Sequence, residues 1–255
     1  MSGVSRNELM AYVNNLMRPW DFKDYCENGL QVEGKASIKT LVTGVTACQA
    51  LLDKAVELKA DAILVHHGYF WKGEAQSLVG MKGKRIRTLI QNDINLIAYH
   101  LPLDVHQEFG NNVQLARLLE LEITDGLDRG NPDSVGLIGR LAKPLSGAQL
   151  AERIGNVLGR APMHIGEGGK EEISTVAWCT GSAQSYINKA LDAGVDAYIT
   201  GEISEPVVHT ARELGIHFFS AGHHATERYG AKSLGEHLAQ HFDIECHFVD
   251  IDNPV

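Results

Sequence analysis

Basic residues are in short supply: 23 Lys and Arg stand against 32 Asp and Glu in 255 residues, a formal charge of −9. Such a chain has no field to hold a polyphosphate backbone, and no local Lys/Arg run supplies one, which excludes a nucleic-acid-coating protein. Cysteine is sparse too. Cys26, Cys48, Cys179 and Cys246 stand far apart and form no C-x-x-C, so neither a zinc knuckle nor a dithiol redox pair is encoded. No apolar stretch approaches the ~20 residues that cross a bilayer. The opening residues lack a cleavable hydrophobic core, and with the scattered thiols this leads us to expect a reducing, cytoplasmic setting. The phosphate-cradling pattern G-x-x-x-x-G-K-S/T is missing as well. Hydrophobic residues at 44% and charged ones at 22% are ordinary for a folded chain and exclude disorder. One residue type is abundant: 12 of the 255 residues are histidine.

Hydrophobic periodicity alternates strands and helices. An apolar strand at 41–45 leads to helical spacing over 47–60, and 61–65 reads as a buried strand. A helix around 82–92, a third strand at 94–99 and a helix at 112–120 follow. This alternation predicts an α/β sheet with helical crossovers. The order then repeats. Thr43-Gly44, a helix and Ala60-Asp61-Ala62 match Thr180-Gly181, a helix and Val195-Asp196-Ala197, with Thr-to-Asp separations of 18 and 16. A further helix and strand close each copy, at 94–99 and 216–221. We therefore expect two similar α/β domains from an internal duplication, covering 1–125 and 126–255. The polar stretch 124–134 is the expected linker, and 136–175 reads as a strand–helix–strand insert opening the second half.

Polar residues concentrate in five places. H-H-G (66–68), H-L-P-L-D-V-H (100–106), T-G-E (200–202) and A-G-H-H-A-T-E (221–227) each follow an expected strand, and N-G-L-Q-V-E-G (28–34) reads as a turn-rich loop. In open α/β sheets the carboxyl ends of the strands surround the ligand crevice. Histidine and carboxylate gathered there without cysteine are the donors of a hydrolytic or oxygen-tolerant divalent metal centre. His66 and His67 can reach two neighbouring ions where the chain turns at Gly68. His223 and Glu227, one helical turn apart, can face one point, and a carboxylate can bridge two ions. Donors shared between two ions leave positions open for chemistry. Each motif alone has a plainer reading, as a surface histidine pair, a turn aspartate or a helix-start glutamate. Recurrence at one edge of both copies favours metal. Aligning the copies at Asp61 and Asp196 sets Glu202 opposite His67, which makes Glu202 the candidate general base. Tyr69, Phe70 and Trp71 read as a loop anchor, with a floor for a planar substrate as the alternative.

V-H-H-G-Y-F-W-K-G (65–73), H-L-P-L-D (100–104), T-G-E (200–202), A-G-H-H-A-T-E (221–227), N-G-L-Q-V-E-G (28–34) and T-G-V-T-A (43–47) together resemble the GTP cyclohydrolase 1 type 2 homologues. These are the Nif-three-like dinuclear metal-centre proteins, and the likeness is to their bacterial YbgI branch. It spans nearly the whole chain. The resemblance implies a metal site in the crevice between the two halves, with two divalent ions per subunit held by His66, His67, Asp104, His223 and Glu227, the last bridging. Mixed imidazole and carboxylate donors suit zinc, manganese, iron or nickel. His223 rather than His224 is the implied ligand, and His100 and His106 are left as rim or structural residues. A ring-shaped homohexamer, a trimer of dimers, is implied as well. The implied activity is that of a metal-dependent hydrolase, with water attacking a nucleotide or a related pterin-like ring; for GTP the target is the imidazole carbon. The alternative is a non-catalytic metal-binding, metal-delivery or regulatory scaffold. His237, His241 and His247 fall in the last helix and strand, where a solvated face accounts for them.

Overall fold

Short apolar strands, the central ones buried on both faces, form a five-stranded and a six-stranded sheet, and a two-stranded ribbon accompanies them. The computed structural model describes residues 3–255. Of these, the residues up to Gly110 together with Gly230–Asp252 form one compact unit, and Asn111–Tyr229 with Asn253–Val255 form a second. The first unit contains β1 (Val4–Ser5), α1 (Arg6–Met17), β2 (Gly29–Val32), β3 (Ser37–Ile38), β4 (Thr40–Thr46), α2 (Gln49–Glu57), β5 (Ala62–His67), α3 (Gly80–Gln91), β6 (Asn95–Ala98) and the short α4 (Leu101–Val105). The second contains α5 (Asn111–Leu119), β7 (Leu121–Gly126), β8 (Leu137–Leu145), α6 (Gly147–Leu158), β9 (Met163–Ile165), β10 (Ile173–Cys179), α7 (Ile187–Ala193), β11 (Ala197–Thr200), α8 (Glu205–Leu214) and β12 (His217–Ser220). Helix α9 (His223–Phe242) starts in the second unit and ends in the first, where β13 (Glu245–Phe248) pairs with β4.

The first sheet runs β13-β4-β5-β6-β2, parallel except for β2. Alternation along its strands divides the core: Leu41 and Leu64 join Leu9 and Leu234, while Val42 and Ile63 join Leu51 and Leu89. The second sheet runs β7-β8-β10-β11-β12-β9, with β10, β11 and β12 parallel and the outer strands antiparallel to their neighbours. Trp178 lies wholly inside this unit and donates its Nε1–H to the Asn112 carbonyl at 3.0 Å. These are mixed α/β units with sheets of similar kind.

Three local expectations change. Residues 29–32 form an edge strand on β6 rather than a loop. Two glycines and the polar Asn28 and Gln31 hide so short a strand, and a register shift between Leu30 and Val32 breaks its alternation. The stretch 124–134 lies inside the second unit, where its first residues end β7 and the Ser134 hydroxyl accepts the Asp128 N–H at 2.9 Å. His237 is half-buried rather than solvated: its Nε2 sits 2.7 Å from the Tyr12 hydroxyl, and its ring packs on Phe109.

Asp61 and Asp196 explain why the A-D-A signal recurs. Asp61 Oδ2 accepts the Lys39 and Thr40 N–H groups while Oδ1 meets Lys35 Nζ at 2.6 Å. Asp196 Oδ2 accepts the Ser174 and Thr175 N–H groups while Oδ1 meets Lys170 Nζ at 2.5 Å. Each aspartate thus ties the start of one parallel strand to the next. The Thr-Gly match does not survive. Leu41 pairs with Ala62 and Val176 with Ala197, 21 residues on in both cases, so Thr43 corresponds to Trp178 and Thr180 to Val45. The unequal separations came from aligning a chance dipeptide.

Candidate metal centre

In the first unit β5 ends in His66 and His67, and β6 leads through Tyr99 to His100 at the cap of α4. Their three imidazole centroids lie 4.5–5.8 Å apart, and one ligand nitrogen of each falls within 4.8 Å of the others. In every ring Nδ1 has a partner: the Tyr99 carbonyl for His66 at 3.0 Å, the Thr46 hydroxyl for His67 at 3.1 Å, and Asp24 Oδ1 for His100 at 2.7 Å. Nε2 is then the nitrogen through which each ring would meet a cation. Asp104, buried on α4, puts Oδ1 3.5 Å from His66 Nε2. Because a carbonyl fixes the proton of His66 on Nδ1, a neutral ring turns its lone pair toward an anionic oxygen. A cation between them, or a second proton, reconciles the pair.

The sequence motifs around this cluster are its supports. Asn28 Oδ1 accepts the His100 N–H at 2.7 Å and its amide donates to Asp24 Oδ2 at 2.8 Å. Gln31 clasps Tyr69 through both the N–H and the carbonyl of that residue. Gly68 is required by contact, since a Cβ there would run into the Gln31 side chain and Ala98. Tyr69 is buried, with its hydroxyl on the Ala47 carbonyl, and Trp71 stands edge-on to His100 at 5.0 Å, so both act as anchors.

Asp24 is the residue that sequence reasoning missed. Its carboxylate receives His100, Asn28 and the Leu101 N–H. Burial opposes its ionisation, yet these hydrogen bonds prevail and hold the carboxyl down to about 2. No periodicity marks it, and its partner lies 76 residues away. Asp24, Cys26 and His100 form another group of close donors. Burial, with Asp24 and Glu27 nearby, pushes the Cys26 thiol up to about 12, which makes it a poor ligand. His106 belongs elsewhere: its ring stacks on Phe109 and its Nδ1 accepts the Phe109 N–H.

The second unit carries the other expected donors. His223 opens α9 and Glu227 follows one turn later, bringing Nε2 and Oε2 to 3.2 Å. Glu202, just beyond β11, places Oε1 2.6 Å from His223 Nδ1 and its other oxygen 3.1 Å from the Ser182 hydroxyl. Burial works against charge on His223, but Glu227 and Glu202 outweigh it and raise the imidazole to about 9. Gly181, at φ +70°, is pressed against this pair: a Cβ there would collide with Glu227 Oε1 and lie 3.1 Å from His223 Nε2. His224 does not join it through its backbone, which donates to the Val255 carbonyl. Histidine and carboxylate donors with engaged Nδ1 atoms fit a borderline divalent cation such as zinc, manganese, iron or nickel.

Parallel-sheet units with such donors at their carboxyl edges define a class of candidate metal proteins. The chain belongs to the Duf34/NIF3 (NGG1p interacting factor 3) family, whose model matches residues 4–254. Proteins named GTP cyclohydrolase 1 type 2 homolog are close relatives. That of Vibrio cholerae is 57% identical over 249 residues, covering 97% of this chain and 98% of its own. That of Pseudomonas aeruginosa is 57% identical over 251 residues, covering 98% and 99%. Among solved structures, protein ybgI, described as of unknown function, is 50% identical with a TM-score of 0.95 over 99% of this chain and 100% of its own. The expected likeness to that branch holds. A Thermus thermophilus protein is 37% identical with a TM-score of 0.89, covering 99% and 100%. No helix among the described residues is long and apolar enough to cross a membrane.

Proposed function

We propose that the chain binds two divalent ions through His66, His67, Asp104, His223 and Glu227, with Glu227 bridging, and uses them in a hydrolase reaction on a nucleotide or pterin-like ring. The observation that carries this reading is the opposition of His66 Nε2 and Asp104 Oδ1 at 3.5 Å, with His66 Nδ1 already committed to the Tyr99 carbonyl. The names of the relatives support the reaction class. Divalent ions held by these residues would supply an acidified water and Lewis acidity toward the attacked carbon or phosphorus. The chain's own residues do the rest. Tyr99, Thr46 and Asp24 orient the three first-unit rings, and Glu202 orients His223. Glu202 is also the proposed proton acceptor, through the carboxylate that touches Ser182. The working form is a cytoplasmic homohexamer, a trimer of dimers.

Glu202→Gln separates the two duties. As the base, its loss is expected to cut turnover by about 100-fold or more with metal content unchanged. Loss of metal in step with turnover would instead make Glu202 a positioning residue for His223. The wider test incubates metal-loaded protein with GTP, other nucleotides and pterins and follows product by chromatography. A product formed only by the loaded protein supports the hydrolase. No product from any of them, with both ions retained, would replace it by the metal-delivery or regulatory scaffold.

A further inference from the structure

A cavity of about 500 Å³ opens in the first unit beside the imidazole cluster, a size suited to a nucleoside-sized ligand. Three aromatic side chains line it, Trp20, Phe22 and Phe70, together with Lys23, Lys72 and Asp24. Trp20 leaves 64% of its surface exposed, a large flat face with nothing in the unit to cover it. Phe70, at φ +65° in the left-handed region that non-glycine residues seldom take, packs partly on the core with Lys82 Nζ 4.9 Å from its ring centroid, and it also lines the cavity. Neither Lys23 nor Lys72 makes an ion pair among the described residues. Asp24 belongs to both places: it lines the cavity and holds His100, whose ring is 5.0 Å from that of His66.

We propose that this cavity is the binding site for a planar heteroaromatic ring with an anionic tail, a purine nucleotide or its close chemical equivalent. The ring lies against Trp20, Phe22 and Phe70, where stacking tolerates any flat π-system. The phosphate meets Lys23 and Lys72, which act as point charges. Glu27, also in the wall, offers oxygens to ring N–H groups. The assignment rests on the hydrolase reading for the choice of ring but not for the binding itself.

The test is equilibrium dialysis of the full chain with GMP, AMP, guanosine and inorganic phosphate, paired with tryptophan fluorescence. GMP is expected to bind saturably and to quench Trp20, with guanosine about tenfold or more weaker for want of the charged contacts. Lys23→Ala with Lys72→Ala should bring GMP down to the guanosine level and leave guanosine unchanged, whereas Trp20→Ala should weaken both. All three residues are exposed, so these variants keep the fold, which circular dichroism checks. Absence of saturable binding by any ring, or binding indifferent to both variants, would overturn the proposal. Binding at these residues without turnover would leave it standing while sinking the hydrolase; turnover in variants that bind unchanged would do the reverse.

Discussion

Glu227→Gln is expected to lower bound metal from two ions per chain to one or none, and hydrolysis with it. Glu227 is 3% exposed, one turn into α9, its Oε2 3.2 Å from His223 Nε2. Gln has the same shape but one oxygen and no charge, so it fills the space without bridging. Affinity for at least one ion should fall by more than about 100-fold, beyond what removal of a supporting hydrogen bond costs. Gly181 packs directly against the Glu227 carboxylate, since a Cβ there would strike Glu227 Oε1. Mass-spectrometric metal analysis after dialysis reads the outcome directly. A variant that keeps two tightly held ions would remove Glu227 from the donor set.

Asp196→Ala should cost about 2–3 kcal/mol of stability, because it takes a charged acceptor from two part-buried N–H groups and a hydroxyl as well as losing an ion pair. The carboxylate accepts the Ser174 and Thr175 N–H groups, the Thr175 hydroxyl and Lys170. Burial raises its pKa, but these partners win and hold it down to about 2. The sign follows: the folded pKa lies below the unfolded value of about 3.9, so the stabilisation is complete above that value and fades as pH falls toward 2. Asp196→Asn should therefore flatten the acid limb of the stability curve, with about 2 kcal/mol less dependence between neutral pH and pH 2. Urea unfolding across that range measures it. An acid limb identical to that of the parent chain would mean the carboxylate is not tied to its strand. Asp61→Ala should show a loss of similar kind, since Asp61 makes the matching bonds in the first unit.

Those matching bonds also mark what was legible in the sequence. Strand ends were readable because a buried apolar run stops abruptly at a polar group, as at His66 and at Thr200. His223 and Glu227 were readable because four residues make one helical turn. Asp61 and Asp196 stood out because each closes the same kind of strand-to-strand junction, accepting two backbone N–H groups and a lysine. The Thr-Gly pairs misled, because a dipeptide carries no register. Asp24 and the edge strand β2 were beyond reach for a different reason. Their meaning lies in partners far along the chain, His100 for Asp24 and Ala98 for Gly29, and no local period reports a long-range contact. His100 looked like a rim residue for the same cause: its place beside His66 is set by β5 and β6 lying side by side.

Isothermal titration of the metal-free chain with zinc or manganese, with the stoichiometry checked by mass-spectrometric metal analysis, reads whether these donors hold a pair of ions. Two ions per chain are expected, with a loss of at least one in Asp104→Asn and in Glu227→Gln while the fold is retained. A chain that takes up no divalent ion, or one whose two ions survive both substitutions, would contradict that expectation.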